Sequence, residues 1–310
     1  MDKIICVVGP TASGKTKLAV ELAKTFGGEV ISCDSMQIYR HMDVGTAKPS
    51  VEEMCDIPHH MIDIVEPSDD FSVGKYVQMA DSVLQDVLAR GRTAVIAGGT
   101  GLYVDSLIAG RSFAPFPATG KREALEQRAD REGPEALLRE LAQVDPETAA
   151  RLHPADRKRI IRALEVWQET GKTISQHNHE TQQIPPRYTA HWIGMDYKNR
   201  ADLYARIDLR VDRMLEAGLL DEIRALLAAG ISPKATAMQA IGYKEYFEAM
   251  NGAHSIEEAT ALVKQRSRNY AKRQLTWFRR NPEVRWLLQE PGQDFSQVFA
   301  EACHDLPFFA

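Results

Sequence analysis

The sequence predicts an α/β protein in which a parallel sheet, covered on both faces, carries a helical insertion. Three observations predict it. In the first third, short apolar runs rich in β-branched residues alternate with stretches of helical period. From Lys121 to about Gly171 the strand signals stop and the pattern is helical. Strand character then returns at Trp192–Met195, and Val284–Leu288 can close the sheet. Residues 114–190 therefore read as an insertion into a core made of 1–113 and 191–310.

The elements follow in order. Ile4–Val8 (IICVV) is apolar throughout, as a strand buried on both faces should be. A glycine-bearing loop and a helix to about Phe26 come next. Glu29–Cys33 (EVISC) is a second strand, ending at Asp34. Ser72–Ala89 has helical period, and Thr93–Ala97 (TAVIA) is another buried strand, closed by Gly98-Gly99. Phe113–Pro117 (FAPFP) is a breaker-rich linker. Within the insertion, Gly133-Pro134, Asp145-Pro146 and His153-Pro154 mark helix starts or breaks, and Gln176–Arg187 is polar and ends beside Pro185-Pro186. The last third is mostly helical, and no internal repeat is visible.

Composition narrows the class. Apolar residues make up 44% and charged residues 26%, as in ordinary globular proteins. No apolar run approaches the roughly 20 residues of a membrane span, and Met1-Asp2-Lys3 leads straight into a strand, so a cytoplasmic protein without membrane contact is expected. Cys6, Cys33, Cys55 and Cys303 fit no zinc spacing; small core residues are the expectation. The net charge of −5 argues weakly against nucleic acid, but its distribution does not. Val263–Arg280 (VKQRSRNYAKRQLTWFRR) holds seven basic residues and no acid, and Arg157, Lys158, Arg159 and Arg162 form a second basic cluster.

Gly9-Pro10-Thr11-Ala12-Ser13-Gly14-Lys15-Thr16 matches G-x-x-x-x-G-K-[ST] between a strand and a helix. Such a loop turns backbone N–H groups toward phosphate oxygens, adds the positive end of a helix and the Lys15 charge, and offers Thr16 to Mg²⁺. The core is thus P-loop NTPase-like. A nucleotide hydrolase would also place a metal-binding aspartate at the end of a strand. TAVIA ends in glycines instead, and the acid lies after the second strand, at Asp34. In the C-terminal basic run, Arg266, Tyr270, Arg273, Trp277 and Arg280 share one helical face, suited to phosphates and unpaired bases. Ala271, Leu275 and Phe278 form a separate apolar stripe for the core.

Taken together, GPTASGKT, DSMQIYRHMDVGTAKP, IPHHMID, GGTGLY, IRALEV, IGYKE and KRQLTWFR resemble, in order and over nearly the whole chain, the bacterial tRNA dimethylallyltransferase (tRNA isopentenyltransferase) family. The resemblance implies transfer of a five-carbon prenyl group from dimethylallyl diphosphate to the exocyclic amine of the adenine 3′ of the anticodon. It implies that the loop holds the prenyl donor, that no nucleotide is spent, and that tRNA is gripped between core and insertion. Whether the loop also binds ATP stays open. A monomer is expected, and nothing supports zinc.

Site residues follow from the same resemblance. Lys15 and the backbone of residues 11–16 stabilise the departing diphosphate with Mg²⁺ on Thr16, and Arg206 and Arg210, one helical turn apart, are phosphate contacts. The alternative is that these arginines merely pair with Asp208 and Asp212. Asp34 is the candidate base for a weakly nucleophilic adenine amine; alternatively it only caps a turn. Gln37 could read the adenine edge, with Ser35 and Met36 beside it. Thr100, Arg122, Lys158, Arg159, Ile160, Ile161 and Arg162 match tRNA-contacting positions, though core packing suits the two isoleucines better. Ala240, Ile241, Gly242, Tyr243, Lys244 and Glu245 do likewise, as do Lys272, Arg273, Gln274, Leu275, Thr276, Trp277, Phe278 and Arg279. Rival readings are a nucleoside or nucleotide kinase, a prenyltransferase acting on free AMP, and a non-catalytic RNA-binding module.

Overall fold

The computed structural model describes residues 4–111, 119–183, 185–304 and 306. The expected linker Phe113–Pro117 lies outside the described residues. The chain forms two compact units, one of Met1–Gly110 with Arg187–Ala310, the other of Arg111–Pro186.

In chain order the first unit begins with β1 (Ile4–Val8), α1 (Lys15–Thr25), β2 (Gly28–Ser32), α2 (Val51–Met54), β3 (His59–His60), α3 (Val73–Ala89), β4 (Thr93–Gly98) and α4 (Gly101–Ile108). The second unit is α5 (Lys121–Glu132), α6 (Pro134–Val144), α7 (Pro146–Ala149), α8 (Arg157–Thr170) and α9 (Ile174–Gln183). The first unit resumes with β5 (His191–Tyr197), α10 (Arg200–Glu216), α11 (Leu219–Ala228), α12 (Tyr243–Met250), α13 (Ile256–Phe278), β6 (Arg285–Gln289) and α14 (Phe295–His304).

The sheet order is β3-β2-β4-β1-β5-β6, with every pairing parallel. β1 explains itself by burial. Ile4, Cys6 and Val8 face the core made with α3 and α4, while Ile5 and Val7 face α1 and α14. Both faces are dry, so no polar residue interrupts the run. Cys6 and Cys33 are buried in that core as small apolar residues, and Cys303 is half-buried, but Cys55 is exposed just after α2 and is no core residue.

Three features depart from the sequence reading. The edge strand His59–His60 was not expected, since two residues carry no period; it pairs with Val30 and Ile31. His60 is fastened to buried Glu29, which Arg90 holds down to about pKa 2 with help from His60. Next, the insertion ends earlier than residue 190. Tyr188 is buried in the sheet unit and its hydroxyl donates to Asp81 of α3 at 2.7 Å, so the boundary falls at Pro186–Arg187. Finally, the polar stretch from Gln176 is helical as far as Gln183.

In the helical unit Ile160 and Ile161 are buried with Leu125, Leu137, Leu141 and Leu164. They are core residues, and truncating either to Ala would cost about 2–5 kcal/mol. No described helix is long and apolar enough to cross a membrane.

Candidate active site

The site lies at the carboxyl ends of the central strands, where ligands of open α/β sheets bind. β1 runs into Gly9, whose φ of 144° favours glycine and whose Cβ would lie 2.3 Å from the Met195 carbonyl oxygen. Ala12 is also left-handed, with φ 63°, a strain typical of functional loops. Gly14 caps α1, and the first turn of that helix presents N–H groups without intrahelical acceptors. The Thr11 N–H, by contrast, is already bound to Gln274 Oε1 at 2.9 Å. Lys15 Nζ donates to the Pro10 carbonyl at 2.6 Å. Burial and then neighbouring Arg210 lower the Lys15 ammonium to about 7, and Asp34 works against them.

β2 delivers Asp34. Its Oδ1 accepts the N–H of Met36 at 2.9 Å and of Gln37 at 3.3 Å, so the carboxylate does cap a turn. It also opposes the burial-driven lowering of both Lys15 and Arg210, which sets it beside those cations. Thr100 Oγ1, after β4, accepts the Ser35 N–H at 3.1 Å and ties the two strand ends together. Gln37 was expected to read a base edge. Its Oε1 instead accepts from Ser32 Oγ at 3.1 Å, and its Nε2 donates to the Ala47 and Thr46 carbonyls at 3.2 and 3.5 Å. In this arrangement the amide braces the loop.

α10 supplies the arginines. Arg206 Nε donates to the Ala12 carbonyl at 3.2 Å, and Arg210 reaches the Thr46 carbonyl at 3.4 Å. Asp208 and Asp212 pair with Arg268 and Lys264 instead. Both arginines are therefore turned toward the phosphate loop and its surroundings.

A cavity of about 390 Å³ gathers most of these groups, though neither Arg206 nor Thr100 lines it. Thr11, Lys15, Thr16 and Arg210 line one part, Asp34 to Gln37 another, and Ile207, Val211, Met214 and Val263 give it an apolar wall. Ala240, Ile241, Gly242, Tyr270, Arg273 and Gln274 also line it. One chamber thus joins an anion-binding end, a carboxylate and an apolar surface.

The basic helix is more fully ion-paired than its own sequence suggests. Four of its seven cations meet acids from elsewhere: Lys264 with Asp212, Arg266 with Glu245, Arg268 with Asp208 and Arg279 with Asp196. Trp277, expected to stack on bases, donates its Nε1–H to Asp105 at 2.7 Å and packs on Gly101. Leu275 and Phe278 are buried, and Gln274 is a buried link whose Nε2 donates to the Gly99 carbonyl at 2.9 Å. Tyr243 and Glu245 are buried as well; Glu245 accepts the Gly242 N–H at 2.8 Å. Trp277 is half-buried and keeps part of its surface exposed, whereas the other five are buried. Lys272, Arg273 and Thr276 of α13 and Arg279 and Arg280 just beyond it are exposed, as are Lys158 and Arg159 on α8. Arg122 pairs with Glu126, Arg162 with Glu165, and Lys244 sits 3.9 Å from Glu248. Sequence reasoning overlooked Glu222, whose carboxylate holds the Asp43–Gly45 backbone.

A P-loop α/β core whose glycine loop opens onto an apolar, carboxylate-bearing cavity suits an enzyme acting on a phosphorylated substrate. A family model described as IPP transferase matches residues 37–281. The tRNA dimethylallyltransferase of Caldanaerobacter subterraneus subsp. tengcongensis is 45% identical over 298 residues, 96% of this chain and 95% of that one. The tRNA dimethylallyltransferase 1 of Pelobacter propionicus is 46% identical over 309 residues, 100% and 98% of the two chains. The crystal structure of the tRNA isopentenylpyrophosphate transferase from Bacillus halodurans superposes with TM-score 0.75 at 41% identity, covering 100% of this chain and 97% of that one. A eukaryotic dimethylallyltransferase acting on tRNA gives TM-score 0.83 at 30% identity, covering 99% and 78%. The chain belongs to the IPP transferase family.

Proposed function

We propose that the protein transfers a dimethylallyl group from dimethylallyl diphosphate to the exocyclic amine of the adenine 3′ of the anticodon in tRNA, releasing diphosphate. The observation that carries this reading is the single cavity joining Lys15, Thr16 and Arg210 to Asp34 along an apolar wall. The names and structures of the relatives support it.

The donor's diphosphate binds at the start of α1, held by Lys15, Arg206, Arg210 and the first-turn N–H groups. The prenyl chain lies against Ile207, Val211 and Met214. As the amine nitrogen bonds to the allylic carbon, the carbon–oxygen bond breaks and its electron pair leaves with the diphosphate. That developing charge meets donors already in position. The amine proton passes to Asp34, whose Oδ2 is not used in capping the turn. The Thr16 hydroxyl lines the same cavity and is an oxygen donor suited to Mg²⁺ shared with phosphates. When bound, that ion neutralises diphosphate charge. The adenine must leave its stack to enter. Lys272, Arg273, Thr276 and Arg280 of the sheet unit, and Arg122, Lys158 and Arg159 of the helical unit, hold the tRNA. We assign the activity to a monomer in the cytoplasm.

Incubation with unmodified tRNA, dimethylallyl diphosphate and Mg²⁺, then digestion and mass spectrometry, tests this. A five-carbon addition to adenosine is expected. Its absence, or labelling of tRNA from ATP, would overturn the reading.

A further inference from the structure

A carboxylate with no part in the proposed chemistry holds the loop that shapes the phosphate end of the cavity. Asp43–Ala47 leads from the Asp34 segment toward α2 and puts Gly45, Thr46 and Ala47 on the cavity wall. Three successive N–H groups converge on Glu222 of α11. Asp43 and Val44 donate to Oε2 at 2.6 and 2.7 Å, and Gly45 donates to Oε1 at 3.0 Å. The Tyr243 hydroxyl donates to the same Oε1 at 2.5 Å. Consecutive N–H groups aimed at one point form an anion-binding nest, here filled by a side chain of the protein itself.

The surroundings fix this arrangement. Tyr243 is fully buried, and burial first and Glu222 second push its phenol upward, so it stays a donor. Gly45 lies against the Tyr243 ring, where a Cβ would come within 2.5 Å. Lys48 fastens the far end, donating to the Tyr39 carbonyl at 2.6 Å and to Asp43 at 2.7 Å.

The held loop in turn holds the site. The Thr46 carbonyl accepts from Arg210, and the Thr46 and Ala47 carbonyls both accept from Gln37. Arg210 stands on α10 and Glu222 on α11, on either side of the turn at Ala217-Gly218. The loop is clamped between consecutive helices.

We infer that Glu222 is a positioning residue: it fixes the Asp43–Gly45 backbone so that the Thr46 carbonyl orients Arg210 toward the donor diphosphate. The inference rests on the donor reading above. A carboxylate serving the fold alone would leave the Arg210 contribution to donor binding untouched. A positioning carboxylate makes the effects of the two residues non-additive.

The test is calorimetric titration of the full chain with dimethylallyl diphosphate and Mg²⁺, in wild type, Glu222→Gln, Arg210→Ala and the double variant. Glutamine keeps the length but turns an NH₂ group toward the loop's N–H groups. Glu222→Gln is expected to bind the donor about tenfold more weakly. In the Arg210→Ala background the same change should weaken binding by less than about twofold. Donor affinity of Glu222→Gln equal to that of wild type, or an undiminished loss in the Arg210→Ala background, overturns the inference. Should Glu222→Gln not fold, Tyr243→Phe removes one of the four donors and keeps the backbone bonds. It is expected to weaken donor binding about threefold, again only when Arg210 is present; unchanged binding overturns the inference. A wild type that does not bind the donor overturns the donor reading together with this inference. Normal wild-type binding with an indifferent Glu222→Gln overturns this inference alone.

Discussion

Gln274, deep in a helix whose sequence is mostly basic, accepts the N–H of Thr11 in the phosphate loop at 2.9 Å. Its other amide atom donates to the Gly99 carbonyl, so one side chain ties the ends of β1 and β4 to α13. Gly99 has no room for a side chain there, since a Cβ would lie 2.1 Å from Gln274 Nε2. Gln274→Ala leaves the buried Gly99 carbonyl and the part-buried Thr11 N–H without this partner and should cost about 1–3 kcal/mol of stability. Urea unfolding measures it. A midpoint and slope equal to those of wild type would mean that the tie contributes nothing.

Asp34 has two roles that one substitution separates. Asp34→Asn keeps an Oδ1 acceptor for the Met36 and Gln37 amides but cannot take a proton. The turn should persist and tRNA affinity should hold, while single-turnover transfer falls by about 10²–10⁴-fold. A rate above about a tenth of wild type would reduce Asp34 to its turn-capping role.

Lys15 gives donor binding a pH dependence of known sign. In the free protein its pKa is lowered to about 7, so it is charged below that pH and neutral above it. The diphosphate binds the ammonium form. As pH rises from 7 to 8.5, binding must be accompanied by proton uptake, and affinity should weaken by up to about tenfold per unit. Calorimetry in buffers of different ionisation enthalpy reads the uptake directly. Proton release, or an affinity flat across that range, would contradict the site's electrostatics.

The phosphate loop, the main strands and Asp34 were legible because their signals are local: a fixed spacing, unbroken apolar runs, an acid at a strand end. What the sequence hides is partners distant along the chain. The basic run of α13 lacked acids nearby, yet Asp196, Asp208, Asp212 and Glu245 arrive from other elements to pair with it. Nothing near Trp277 in sequence announces that Asp105, 172 residues away, takes its N–H. Glu222 had no motif to betray it, because the N–H groups it holds lie 177 to 179 residues away. The isoleucines of α8 and the stripe of Leu275 and Phe278 did follow helical period into their cores.

That pairing divides the cations of the basic run into two kinds. Arg273 is exposed, and its guanidinium lies 5.5 Å from the centre of the Tyr270 ring. Arg279 is bound to buried Asp196 at 3.1 Å. Arg273→Ala should weaken all tRNAs alike and reduce the salt slope of binding by about one. Arg279→Ala should lower stability and leave the slope unchanged. Filter binding across a salt series, paired with thermal melts, distinguishes them; the reverse pattern would move the RNA surface to the other end of the helix.

The central claim is that the phosphate loop serves a prenyl diphosphate. Thermal melts with Mg²⁺ and either dimethylallyl diphosphate or ATP, in wild type and Lys15→Ala, test it most directly. At a hundredfold excess over Kd a ligand that binds only the folded state adds about 2.7 kcal/mol, several degrees in Tm. That shift is expected for dimethylallyl diphosphate with wild type, and its loss in Lys15→Ala. Protection of wild type by ATP and none by dimethylallyl diphosphate would contradict it.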